Sequence, residues 1–300
     1  MNTVYKILTT LTICLTLLMA KHKPSIGVDV EFDQGIYSYV ENINVYTPSY
    51  TFWPGIMTVT QKYKQIDRLW RGNLYIGPLY FGYFKQTFSG TDDDGIIRYT
   101  LTKFYDGAKI GNTYKNVSFV SDGGIVDYQV GLKKNIGKGY SYVALVAMYR
   151  QYNLIIEDNL FSYSATTYQN SGYGAGLEIK IAPKPKKTKF GIYIPLYIGG
   201  VYYPKENLTK NTIAIYKESM NIQAYTNHGI TINGGVGVIL NPKIGLNAAI
   251  VFNNNINKFE YKSKDRAGRR LNDWCLYTYN YYVGLKIGMI ADLRKIIGKN

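Results

Sequence analysis

The chain has two histidines, His22 and His228, the residue type most often used as a general base near neutral pH. Neither stands at a spacing from an acid or nucleophile that marks a catalytic pair, so no catalysis is expected. Asp92-Asp93-Asp94-Gly95 places three carboxylates in a row. Calcium loops instead spread their oxygens over about twelve residues and close on a Glu, so this run reads as a solvated turn and no metal is expected. The glycines of Gly234-Gly235-Val236-Gly237 have no helix after them to cradle a phosphate, and no cofactor is expected. The stretch Lys258–Arg270 is the most basic: Lys258, Lys262, Lys264, Arg266, Arg269 and Arg270 face only Glu260 and Asp265. Such a loop attracts anionic partners (lipid-head phosphates, acidic glycans, surface polyanions), with an attraction that falls as salt rises. A nucleic-acid partner is not expected, because no aromatic stacking residues line an identifiable groove.

The remaining charges make sense only on the elements that carry them. From Gly229 to Phe252 every second side chain is apolar: Ile230, Ile232, Val236, Val238 and Leu240 share one face, Thr231, Asn233, Gly235 and Gly237 the other. Asn241-Pro242 turns the chain, and Ile244, Leu246, Ala248, Ile250 and Phe252 resume the apolar face. The same period of two appears in Ile26–Phe32, Val126–Lys133, Gly172–Ile181, Phe190–Gly199 and Tyr279–Met289. It is less regular in Met57–Tyr63 and Gly72–Phe88. Segments of roughly ten residues match a bilayer's hydrocarbon when strands tilt by about 45°. The apolar faces then point outward into lipid. The polar faces bring Asp29, Glu31, Asp127 and Glu178 into the lumen with Lys62, Lys133, Lys180 and Lys286. Signs nearly balance, and a low-dielectric interior requires them to pair, so a charge network plugging a narrow barrel is expected, with Asp29, Glu31 and Lys286 at its centre.

Composition agrees. Charged residues are 18% of the 300, below the usual ~25%, while Gly (30) and Tyr (31) are abundant. The mean hydropathy of −0.17 is no objection, since a barrel carries its membrane signal in alternation rather than in long apolar runs. Lys6 followed by the apolar Ile7–Ala20 reads as a secretory signal over 1–20, too short for a spanning helix, with a single barrel domain over 21–300. With the signal removed, Cys275 is the only cysteine, which excludes an intrachain disulfide framework. Aromatic Tyr140, Tyr152, Phe190, Tyr202, Phe252, Tyr279 and Tyr281 stand near strand ends on the outward face, as an interfacial belt requires.

Turns near 135–138, 183–188 and 241–242 are short, and connections 153–170, 204–228 and 254–276 are long. Strict alternation of the two is the habit of an outer-membrane barrel with short periplasmic turns and long outer loops. The reading is an all-β, closed antiparallel up-and-down barrel of about ten strands, with eight or twelve as alternatives. Ile96–Tyr105 with Thr113–Ser121 forms either two further wall strands or a hairpin rising from an outer loop. On Gly172–Ala182, Gly229–Leu240, Lys243–Asn253 and Tyr279–Ile290 with their turns, the chain resembles small bacterial outer-membrane barrels of the outer membrane protein A or opacity surface-antigen type. Members commonly end on an aromatic residue, whereas here Met289-Ile290 is followed by Ala291–Asn300. The resemblance implies an outer-membrane protein, in contact with outer-membrane lipid, that acts through surface loops as antigen, adhesin or envelope stabiliser. The alternatives are a small pore for polar solutes, or a soluble exported barrel that carries an apolar ligand.

Overall fold

The computed structural model describes residues 26–47, 55–103, 106–137, 139–159, 165–183, 190–204, 212–215, 218–219, 223–264 and 270–292. Its thirteen strand segments are β1 (Ile26–Thr47), β2 (Gly55–Ile76), β3 (Leu79–Thr87), β4 (Gly90–Lys103), β5 (Lys109–Asn135), β6 (Tyr142–Asp158), β7 (Ala165–Ile181), β8 (Gly191–Tyr202), β9 (Thr212–Ile215), β10 (Glu218–Ser219), β11 (Gln223–Asn241), β12 (Leu246–Lys264) and β13 (Arg270–Asp292). They make ten wall positions. β3 and β4 follow one another up the same position, pairing with the lower and upper parts of β2. β9 pairs with the top of β7 beyond the end of β8, and β10 pairs with β9. Every neighbouring pair is antiparallel, and the ring closes where β1 pairs with β13 from Gly27–Asp292 to Tyr46–Asp273. The fold is thus an all-β closed barrel of ten strands. The segment 96–121 adds height rather than strand number.

One end carries the short connections. Gly77-Pro78 alone joins β2 to β3, with Gly77 at φ 59°, which suits a two-residue hairpin that has glycine first and proline's fixed φ second. This turn is not apparent in the sequence, where Gly72–Phe88 reads as one aromatic segment. Pro242–Gly245 joins β11 to β12, with Gly245 at φ 61°. Pro195 has no N–H to give, and the β8–β11 ladder steps over it from Leu196–Gly234 to Tyr193–Gly237.

Above these turns a band of exposed apolar side chains circles the barrel. It holds Ile26 to Ile36 on β1, Ile66 to Leu74 on β2, Ile230 to Leu240 on β11 and Tyr281 to Met289 on β13. Its height of about ten residues per strand is the thickness of a bilayer's hydrocarbon. Its upper edge is marked by five tyrosines paired across successive strands, Tyr83, Tyr128, Tyr149, Tyr173 and Tyr202. Successive rings in the first four lie 5.4–6.5 Å apart. Phe190, Tyr202, Phe252 and Tyr281 are exposed on the outer face as the sequence suggests.

Beyond the band the wall continues, and its polarity inverts. The inner face is aromatic and aliphatic: Tyr37, Tyr39, Tyr63, Phe88, Ile97, Val117, Phe119, Tyr152, Leu154, Ile156 and Phe259 are all buried. Tyr63 stacks on Phe119 at 5.2 Å, Tyr37 lies 4.8 Å from Phe88, and Tyr152 is parallel to Phe259 at 6.5 Å. Such pairs contribute about 0.5–1.5 kcal/mol each beyond the area they bury. Two expectations are corrected here. Lys62 points outward into solvent while Tyr63 faces the lumen, and Tyr152 is interior rather than part of a belt. At this height the exterior meets water, so the apolar residues turn inward as in any soluble barrel. The long connections are also largely strand: β5 is 27 residues long, and β12 and β13 run on to Lys264 and from Arg270.

Candidate functional site

At the level of the band the lumen is packed with charge. Lys180 on β7 contacts Asp29 and, at 2.8 Å, Glu31 of β1. Lys286 on β13 donates to Tyr193 Oη (2.8 Å) and lies 3.0 Å from Glu31 Oε1. Tyr193 donates to Glu31, so one carboxylate gathers two cations and a phenol. Glu178 accepts from Tyr142 (2.7 Å) and Tyr80 (2.6 Å), and Arg71 of β2 stands 3.6 Å away. Tyr75 links the halves, bonding to Tyr142 (2.7 Å) and Asp29 (3.2 Å). Strand alternation explains the arrangement: each of these side chains is the inward member of its pair of neighbours. Charges removed from water this completely persist only when partners surround them.

A second cluster lies nearer the aromatic storey. Arg150 on β6 grips Asp127 on β5 with both forks, 2.7 Å each, and donates to Thr231 Oγ1 at 2.8 Å. Thr231 donates to Asn255 (2.6 Å), and Asn255 and Asn253 donate to Gln86. Gln86 donates to Asp67 (3.3 Å), which also accepts from Thr87 Oγ1 (2.8 Å) and the Arg68 N–H (2.7 Å). Bidentate pairing gives the Arg–Asp contact its geometric definition.

Of the residues expected in the lumen, Asp29, Glu31, Glu178, Lys180 and Lys286 come together at one level and Asp127 joins the Arg150 cluster. Lys133 sits half-buried at the short-turn end, its Nζ 3.8 Å from the Tyr75 ring centroid and 4.7 Å from that of Tyr142. Lys62 is outside. Arg71, Arg150, Asp33 and Asp67 are buried participants that the sequence reading missed. Arg71 could have been found from Leu69-Arg71-Asn73-Tyr75, every second residue against Trp70 and Leu74. Arg150 had no such signal, because Ala144, Val146 and Met148 on its face are as apolar as the outside.

The basic stretch lies largely outside the described residues. Lys258 is half-exposed at 5.8 Å from the Tyr277 ring. The side chains of Lys262, Lys264 and Arg270, and Arg266 and Arg269 altogether, lie outside the described residues, as do the signal 1–20 and the side chain of Cys275. His228 is on the barrel's outer face, opposite Tyr202 and Lys258. Asp92–Gly95 forms the jog at the start of β4, where Asp92 accepts the backbone N–H of Lys64 and of Asp94 (3.0 Å) and Asp93 accepts from Ser118.

No family model matches the chain, and no curated protein does. Among solved structures it is similar to the outer membrane protease OmpT from Escherichia coli, with a TM-score of 0.54 and 10% identity over 87% of this chain and 96% of that one. It also matches the transport unit of the autotransporter AIDA-I from Escherichia coli (TM-score 0.37, 9% identity, 91% of each chain). A third is the translocator domain of the autotransporter NalP from Neisseria meningitidis (TM-score 0.35, 10% identity, 97% of each chain). At such identities the OmpT likeness speaks to fold alone. Together with the apolar band and the aromatic edge above it, that fold makes this chain an outer-membrane β-barrel.

Proposed function

We propose that the protein acts at the cell surface by binding, as an adhesin, antigen or envelope-stabilising protein, and that its outer loops make the contact. The observation that carries this reading is the stacking of a solid aromatic storey on a lumen filled with paired charge. The wall thereby becomes a post that holds its tips clear of the bilayer. A pore would need an open path through Lys180, Glu31, Arg71 and Tyr193, all of them buried. Binding rather than catalysis fits the placement of His228 on the exterior wall, with no described acid bonded to it. The ligand class is anionic, an acidic glycan or polyanionic surface, met by Lys258, Lys262, Lys264, Arg266, Arg269 and Arg270.

Cells displaying the protein, passed over a surface coated with a sulfated glycan, are expected to be retained at low salt and released as salt rises. A variant with those six residues changed to Ser, displayed at equal density, is expected to lose retention. Equal retention of the two, or none by either, would remove the proposal.

A further inference from the structure

On the outer face of β2 the apolar band is interrupted by charge. Ile66 and Trp70 point into lipid, 67% and 48% exposed, and Arg68 stands between them on the same face. Lys85 of β3 lies directly across the ladder from Trp70, which makes it the diagonal neighbour of Arg68, within reach for two long side chains to serve one anion. Lys64, the next outward residue beyond Ile66, is exposed on the watery side. Among the described residues no carboxylate pairs with any of these three side chains. Asp92 takes the backbone N–H of Lys64, not its amine. Outward positions near the same rim on other strands carry Gln151, Tyr173, Tyr202 and Tyr281, and Lys258 stands beyond Ile256 on β12. Arg68 and Lys85 are thus a local feature of one sector of the wall, not part of a ring of charge.

We propose that Arg68 and Lys85, with Lys64 above them, form a site on the lipid-facing wall for the phosphate of an outer-leaflet lipid. A cation that faces hydrocarbon costs about 2–4 kcal/mol at the midplane and about 0–1 kcal/mol near the interface, so long side chains below the rim extend toward the headgroups. Phosphate is the anion at that level. The guanidinium fork of Arg68 matches two phosphate oxygens, and the Lys85 amine supplies a second positive charge from the neighbouring strand. The acyl chains of the same lipid then lie on Ile66 and on Trp70, whose ring packs 4.4 Å from that of Phe32 on β1. This site is on the wall within the bilayer and is independent of the loop contact proposed above.

The test uses the whole protein folded in detergent, with folding checked by compact gel mobility, and mixed with equal amounts of lipid A, phosphatidylglycerol and phosphate-free diacylglycerol. Native mass spectrometry counts the lipid that stays bound. The wild type is expected to retain a phosphorylated lipid in preference to diacylglycerol, and R68Q/K85Q is expected to retain it at least about tenfold less. K109Q/K115Q, which removes the same charge from the exposed β4–β5 hairpin, is expected to match the wild type. Unchanged retention in R68Q/K85Q, or no preference of the wild type for phosphate, would overturn the site. Equal loss in both double variants would overturn it as well, by reducing the effect to net charge. The two glutamines take charge out of a lipid-facing wall and are expected to leave folding intact; should the pair fail to fold, R68Q and K85Q singly are each expected to weaken retention, and unchanged retention in both would sink the site.

Discussion

Arg150 spans three strands from the barrel interior, bonding to Asp127 beside it and to Thr231 across the lumen. Removing the arginine side chain alone, as in Arg150→Ala, strands a buried carboxylate and is expected to cost about 3–5 kcal/mol. Replacing the pair together, Arg150→Met with Asp127→Leu, is expected to recover most of that loss. Urea or heat midpoints read from gel mobility separate the two outcomes, and equal damage from both variants would contradict the pairing. At this scale the sequence was partly legible. Asp29, Glu31, Glu178, Lys180 and Lys286 each sit in a strand whose two faces differ sharply, so their inward direction could be read. Arg150 sits where the faces look alike, and Lys62 sits above the bilayer, where the rule that apolar means outward no longer holds.

Each strand passes through two environments, and that is why its pattern reverses partway along. On β13 the outward Val283, Leu285 and Ile287 face lipid, whereas on β5 the outward Thr113 lies on the projecting β4–β5 hairpin. Leu285→Arg is therefore expected to cost about 2–4 kcal/mol near the membrane midplane. Thr113→Arg gives up the 3.2 Å hydrogen bond from Arg98 Nε and faces that like charge in water, which is expected to cost no more than about 1 kcal/mol. Comparable losses at the two positions would place the bilayer wrongly on the wall. The lipid-crossing halves of β11, β12 and β13 were readable because a strict period of two lasts through the hydrocarbon. The upper halves were read as loops or as wall facing the wrong way, since their alternation is weaker and its sense opposite. The two-residue turn at Gly77-Pro78 escaped notice because aromatic residues crowd both of its sides.

As a whole the molecule is two barrels end to end, one greasy outside and charged within, the other wet outside and aromatic within. Among the described residues the inward side chains of both storeys are buried against one another, so planar bilayers are expected to show no reproducible conductance steps. Cutting Tyr193, Tyr197 and Tyr282 back to Ala in one variant removes three of the large buried side chains that occlude the lower lumen and is expected to produce them. Steps from the unaltered protein would contradict the plugged lumen described above.

The joint between β1 and β13 has a consequence for biogenesis. These two strands lie at opposite ends of the chain and pair over nearly their full length, so the contacts that seal the ring have the longest sequence separation available. Topologies of this kind form slowly, and the chain waits with bare strand edges until its final segment arrives. A chain ending before Arg270 would leave two long rims unpaired, a template for clumping. Such a fragment is expected to sediment with insoluble material after export, whereas the intact polypeptide, once shut, has no edge left to offer at the level of the bilayer.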